Sequence, residues 1–305
     1  MSREPRLRGP PEDRTPAELL RFGAVNLDKP PGPSSHQLSG WLRDAVSETL
    51  EAREEATIDR AAHAGTLDPK VTGCLPIMLG DATRLAQVFL EGPKEYVAVL
   101  ECHGSVPADV ESVVAEFEGP IYQKPPRKSA VARRLRVRDV YDLELLEVED
   151  RRVLLRIRCE SGTYVRKLCH DLGLALGTGG HMGHLRRTAT APFDDRDLRT
   201  PYEFLDALAF WREDDDPDPL LEAVDPAERI LEGTPRIVIA DSAAREVANG
   251  APVYAPGVLE VDDGTDSGDL VACYTPNGAA VCLGEFVGGV DADSGVVVDL
   301  ERVLV

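Results

Sequence analysis

One stretch constrains this chain more than any other: HAGTLDPKVTGCLPIMLGDATRLAQ, residues 63–87. Pro69 denies Asp68 the right-handed helical region and pushes it toward extended backbone. Gly65, three residues earlier, permits a left-handed or very close backbone. After Gly73 an apolar run, Cys74 to Leu79, can bury itself as a strand and anchor what precedes it. Asp-Pro by itself is a common turn. A carboxylate on a stiff loop, flanked by a buried strand, is also what a nucleophile or acid/base catalyst requires.

Four other segments follow a matching order along the chain. GAVNLDKPPGPSSHQLSGWLRD (23–44) centres on Lys29-Pro30, and GPKEYVAVLECHG (92–104) carries Tyr96. RCESGTYVRKLCHDLG (158–173) holds Tyr164 and Arg166, and HMGHLRRT (181–188) holds Leu185. Together with HAGTLDPKVTG, these segments resemble the motifs of the pseudouridine synthases that act on the T-arm of tRNA and of their dyskerin-type relatives in box H/ACA particles. The resemblance covers roughly residues 22 to 200, and a C-terminal region resembling PUA domains extends it to the end.

The resemblance implies isomerisation of uridine to its C-glycoside in folded RNA: the N-glycosidic bond breaks, the uracil turns, and C5 joins the sugar. It implies Asp68 as nucleophile and Arg166 as its ion-pair partner, which keeps the carboxylate charged in a dry pocket. Tyr96 is expected to stack on the extruded base. Tyr164 is expected beside the ring, as proton acceptor at C5 or as a shaping contact, and Leu185 beneath the base. His63 helps displace the target nucleotide, and Lys29-Pro30 is scaffold for the Tyr96 side of the cleft. No metal or organic cofactor is expected, and His181-x-x-His184 reads as an accident of spacing rather than a site. Without the motif, Arg166 would be an ordinary surface arginine on a helix's first turn, where a cation opposes the helix dipole.

Composition bears on the partner. The formal net charge is −20, and such a chain should repel RNA. The distribution decides otherwise: residues 121–190 hold 15 basic against 8 acidic residues, whereas 191–305 hold 7 against 26. IYQKPPRKSAVARRLRVR (121–138) has seven basic residues and no acidic one. Lys124, Arg127, Lys128, Arg133, Arg134 and Arg136 are therefore the candidate RNA track. Acid excess with 28 Arg but 6 Lys points to a high-salt proteome, where repulsion is screened within about a few ångströms. Six cysteines without metal spacing read as reduced, buried thiols of a cytoplasmic protein. No apolar run is long enough to span a membrane.

The expected architecture is α+β: a mixed, mainly antiparallel-sheet catalytic domain and a small β-barrel-like PUA domain. Residues 1–21 read as a disordered tail, 22–210 as the catalytic domain, 211–232 as an acidic linker and 233–305 as the PUA-like domain. Ser34-Ser35 should cap a helix through Trp41, and Asn277-Gly278 marks a hairpin. The acidic tract 262–269 reads as a solvated hairpin loop. Extrusion of a base costs least in unpaired RNA, so the expected partners are tRNA, through its T-loop, and an H/ACA guide RNA with the particle's small core proteins. Two rivals remain: a non-catalytic RNA-binding scaffold, and an Asp-dependent glycosidase in which Asp171 would be the second carboxylate.

Overall fold

The computed structural model describes residues 7–125, 132–290 and 294–305. Two sheets organise the chain. The first is built from β1 (Phe22–Lys29), β2 (Ala61–His63), β3 (Thr72–Gly80), β4 (Lys94–Cys102), β5 (Gly119–Gln123), β6 (Arg136–Glu149), β7 (Arg152–Cys159), β8 (Gly180–Thr190), β9 (Phe193–Asp194) and β10 (Asp225–Pro226). Its order is β10-β1-β3-β8-β4-β7-β6-β5, with β2 on β3 and β9 on β8. All these pairings are antiparallel except β3 with β8. That parallel junction spans two residue pairs, Thr72↔Arg186 and Gly73↔Arg187, so a short seam joins the two halves of the sheet.

The helices are α1 (Pro16–Arg21), α2 (Ser35–Ala52), α3 (Val88–Glu91), α4 (Val110–Ala115), α5 (Val165–Ala175), α6 (Pro201–Ala209), α7 (Asp218–Ala223) and α8 (Asp241–Ala248). Ser34 caps α2 through a reciprocal box with Gln37, the arrangement that satisfies two orphan donors at once. Along α5, Val165, Leu168 and Leu172 are buried at helical spacing, and Gly177 ends the turn with φ +70°. One apolar cluster joins α2 and α6 to β1 and β3. A second joins α4 and α5 to β4, β6 and β7.

The second sheet comprises β11 (Arg236–Ile239), β12 (Val253–Tyr254), β13 (Val258–Val261), β14 (Leu270–Tyr274), β15 (Ala280–Phe286) and β16 (Val296–Val303), in the order β12-β16-β15-β14-β11-β13. Asn277-Gly278 turns the hairpin between β14 and β15, with Gly278 at φ +84°. A further apolar cluster runs from Phe22, Met78 and Phe193 across to Tyr274, Leu283 and Leu304, so the second sheet is packed onto the first.

Three sequence expectations differ from this fold. Of the supposed tail, residues 7–21 are ordered: Thr15 and Glu18 form a capping box with Pro16 behind it, and Ala17, Leu19 and Leu20 are buried. The signal is in TPAELL, a capping box ahead of an apolar stripe. The acidic stretch 211–232 is not a linker. Trp211, Leu220, Val224, Ile230 and Leu231 are buried, and β10 pairs with β1; Glu213, Asp214, Asp215, Asp216, Asp218 and Glu222 form its wet side, while Glu228 turns inward to Arg14. The tract 262–269 is no hairpin loop either, because β13 and β14 flank β11 rather than each other.

Candidate active site

The seam between the half-sheets is where the motif residues meet. Asp68 lies on the loop entering β3, Leu185 and Arg187 on β8, Tyr96 on β4, and Tyr164 and Arg166 where β7 hands over to α5.

The loop carrying Asp68 is held from inside by two buried cations. Lys29, fully buried, donates through Nζ to the carbonyls of Pro30 (2.9 Å), Pro69 (3.2 Å) and Val71 (2.9 Å). Burial pushes its ammonium pKa down. Arg187, 1% exposed, donates to Cys74 O (2.7 Å) and Gly65 O (3.3 Å), the two ends of the same loop. Leu67 N donates to Ser35 Oγ (2.9 Å), and Gly32 N donates to Pro69 O (2.8 Å). Each buried carbonyl stripped of its donor would cost about 1–3 kcal/mol. Gly73 has φ +98°, and a Cβ there would stand 2.2 Å from Arg187 O; only glycine lets β3 approach β8 at the seam.

Arg166 donates to the Asp68 carboxylate. Both side chains are more than half exposed, 57% for Arg166 and 61% for Asp68. A pair so open contributes at most about 1 kcal/mol to stability. Its consequence is positional: it fixes a charged carboxylate at the mouth of the seam. Sealing that mouth against water would strengthen the pairing several-fold.

Tyr96 sits mid-strand opposite Ile157 on β7 and Arg187 on β8. Its hydroxyl lies near the Arg187 guanidinium, and burial raises its pKa. Tyr96 and Leu185 are partly buried and pack against both apolar clusters, on either side of the seam. His63 ends β2. Burial, with Arg187 and His36 nearby, lowers its pKa, so the imidazole is neutral, and its Nδ1 is buried without a partner among the described residues. Tyr164 stands at the N-cap of α5; Gln123 Oε1 accepts from its N–H (2.8 Å), and Gln123 Nε2 donates to its carbonyl (3.2 Å).

Lys29, expected as scaffold, spends its donors on the backbone beneath Asp68. The alternation of AVNLDKP gives no hint that a lysine could be the most deeply buried end of the strand. Arg187 lies in the motif HMGHLRRT, yet no role is expected for it from sequence; nothing in strand periodicity marks an arginine as interior. Asp171, the second carboxylate a glycosidase would need, is bound by Lys167.

Lys124, Arg133 and Arg134 are exposed and Arg136 is half-buried, and none of the four is ion-paired to a described acidic residue. Arg127 and Lys128 lie outside the described residues. His181 contacts His103 (3.2 Å) and Glu101 (3.4 Å), not His184. No helix among the described residues is long and apolar enough to cross a membrane.

Comparison with known proteins agrees along the whole chain. Residues 53–109 and 103–165 match the TruB family pseudouridylate synthase N-terminal domain, and 166–232 the tRNA pseudouridylate synthase B C-terminal domain. Residues 235–287 match the PUA domain and 6–39 the DKCLD domain. A probable tRNA pseudouridine synthase B of Halobacterium salinarum is 61% identical over 98% of this chain and 99% of its own. That of Pyrococcus furiosus is 43% identical over 96% of this chain and 85% of its own. Among solved structures, one of a Cbf5-Nop10-Gar1 complex superposes with a TM-score of 0.90 at 43% identity, covering 99% of this chain and 90% of the other. An H/ACA RNP bound to a substrate RNA containing 2'-deoxyuridine gives 0.88 at 40% identity, covering 100% and 92%. The chain therefore belongs to the TruB family of pseudouridylate synthases, in the form that carries a C-terminal PUA domain.

Proposed function

We propose that Asp68 is the nucleophile of an RNA pseudouridine synthase acting in the cytoplasm. The observation that carries the assignment is the Arg166–Asp68 pair at the sheet seam, on a loop held by Lys29 and Arg187. The guanidinium keeps the carboxylate ionised once RNA closes the site. Tyr96 offers a ring face to the extruded uracil, with its hydroxyl near Arg187. Leu185 floors the base, Tyr164 lies where the C5 proton leaves, and neutral His63 helps displace the nucleotide. Lys124, Arg133, Arg134 and Arg136, with Arg127 and Lys128, carry the phosphates.

Two substrates fit. Relatives named as tRNA pseudouridine synthase B support the tRNA T-loop. Relatives solved with Nop10 and Gar1, and in an H/ACA RNP, support guide-selected uridines, with a guide RNA and small core proteins as partners. A scaffold without catalysis would have no use for a paired, loop-mounted carboxylate. Asp68→Asn keeps the shape and removes the charge. The expected result is no pseudouridine above a no-enzyme control, by tritium release from 5-labelled uridine, with RNA binding retained; measurable turnover would end the assignment.

A further inference from the structure

The carboxyl end of β5 carries a side chain with no task in the chemistry so far. Gln123 is 2% exposed. Its amide faces a single residue, accepting from Tyr164 N–H at 2.8 Å and donating to Tyr164 O at 3.2 Å. A primary amide matches the N–H donor and C=O acceptor of one residue, so the clasp imitates a strand pairing with one side chain. The helix it serves needs it: α5 has no side-chain cap, and Tyr164 O is already the first acceptor of its backbone ladder, from Lys167 N and Leu168 N.

The neighbouring turn is clasped from the same side. Arg138 pairs with Glu160, whose second oxygen accepts from Asp139 N (3.1 Å), and Thr163 Oγ1 donates to Glu160 O (2.7 Å). Residues 160–164 are therefore pinned at both ends to β5 and β6, the strands flanking the basic segment. Lys124 follows Gln123 directly, and Arg136 is the cross-strand partner of Gln123.

We propose that Gln123 is a positioning residue for the reaction: its amide sets the backbone of Tyr164, and through it the Tyr164 ring and Arg166, against Asp68, in register with the RNA-bearing strands. The inference rests on the roles proposed above for Tyr164 and Arg166. A displacement near 1 Å at a reacting group can cost about 100-fold in rate, so the effect should fall on turnover rather than on affinity.

The test uses the full chain with a T-loop RNA and two variants. Gln123→Met keeps the volume and removes both hydrogen bonds. Gln123→Glu keeps the acceptor but sets a carboxylate against the Tyr164 carbonyl; protonated, it restores the donor. For Gln123→Met the single-turnover rate should fall about tenfold or more, with the RNA Kd within about twofold of the parent's and a melting temperature close to it. For Gln123→Glu, whose buried carboxyl should titrate above the usual range, the rate relative to the parent's should climb from about pH 8 to about pH 6. A parental rate in Gln123→Met, a rate loss matched by weakened affinity, or a flat ratio across that pH range would overturn the proposal. If Gln123→Met does not fold, the pH ratio decides alone. Turnover by Asp68→Asn in the same assay would sink the underlying reading instead.

Discussion

The pair of Asp68 and Arg166 is open to solvent, so the fold would barely notice its removal, while the proposed chemistry depends on a planar fork holding a carboxylate. Arg166→Lys keeps the charge and loses the fork. Its single-turnover rate is expected to fall on the order of 100-fold, with the melting temperature unchanged; a near-parental rate would show that the pair is incidental. Tyr96 separates two contributions. Its ring face is the proposed stacking surface, worth about 1–3 kcal/mol per base, and its hydroxyl lies near Arg187, where a hydrogen bond would be worth about 1 kcal/mol. Tyr96→Phe should therefore retain most RNA-dependent activity while Tyr96→Ala loses it; equal loss in both, measured as kcat/KM, would place the importance in the hydroxyl. In a chain with only six lysines, two are buried for structural reasons. Lys29 caps the carbonyls under Asp68. Lys94, its pKa pushed down to about 8 by burial, caps those of Phe89 and Gly92 (2.7 Å each).

At the scale of elements, the basic segment between β5 and β6 stands apart from its surroundings. Elsewhere arginines are often neutralised locally: Arg14 by Glu228, Arg229 by Asp197 and Asp225, Arg186 by Asp28. Arg133, Arg134 and Arg136 have no described acidic partner, so their charge is free to meet phosphate. Replacing all three by Gln should weaken binding of every RNA sequence alike. For every phosphate no longer neutralised, the slope of log K against log salt should flatten by about 0.7–0.9. An unchanged slope in a filter-binding titration would move the RNA track elsewhere. The neighbouring strands bear on catalysis as well as binding, since β5 and β6 also hold the turn that leads to Tyr164.

The whole molecule carries a charge of −20, arranged so that the acid lies in the C-terminal third and the basic segment in the catalytic half. Acid-rich and lysine-poor, it is built for concentrated salt. At low salt the acidic repulsion is unscreened, and the chain should lose compactness and RNA affinity together. At very high salt the phosphate interactions weaken in the usual way. Affinity is therefore expected to pass through a maximum at intermediate-to-high salt. Monotonic weakening from dilute buffer upward, with the fold intact by circular dichroism, would refute the high-salt reading and leave the enzymatic one standing. The ordered N-terminal segment belongs to this scale too: Arg8 reaches Asp81 on one side and Leu304 O on the other, stitching the two sheets together.

The fold class and much of the order of the elements are legible from residue patterns, and the proposed site from motif resemblance. β4, β6, β7, α2 and α5 arise from local periodicity and capping, which act over a few residues and leave their mark there. Asp68, Tyr96, Tyr164, Leu185 and Arg166 are singled out because the motifs around them resemble those of a known family; periodicity alone would leave Arg166 an ordinary surface arginine. Nothing local marks Lys29, Arg187 and Gln123 as interior. Each is polar, buried and satisfied by backbone groups that come from distant parts of the chain: Val71 for Lys29, Cys74 and Gly65 for Arg187, Tyr164 for Gln123. A polar side chain is read as exposed until a specific partner is known, and the partner is known only once the strands are paired. The acidic stretch 211–232 reads as a linker for the same reason. Its charges are local and visible, while the apolar residues between them find their core only when β10 closes against β1.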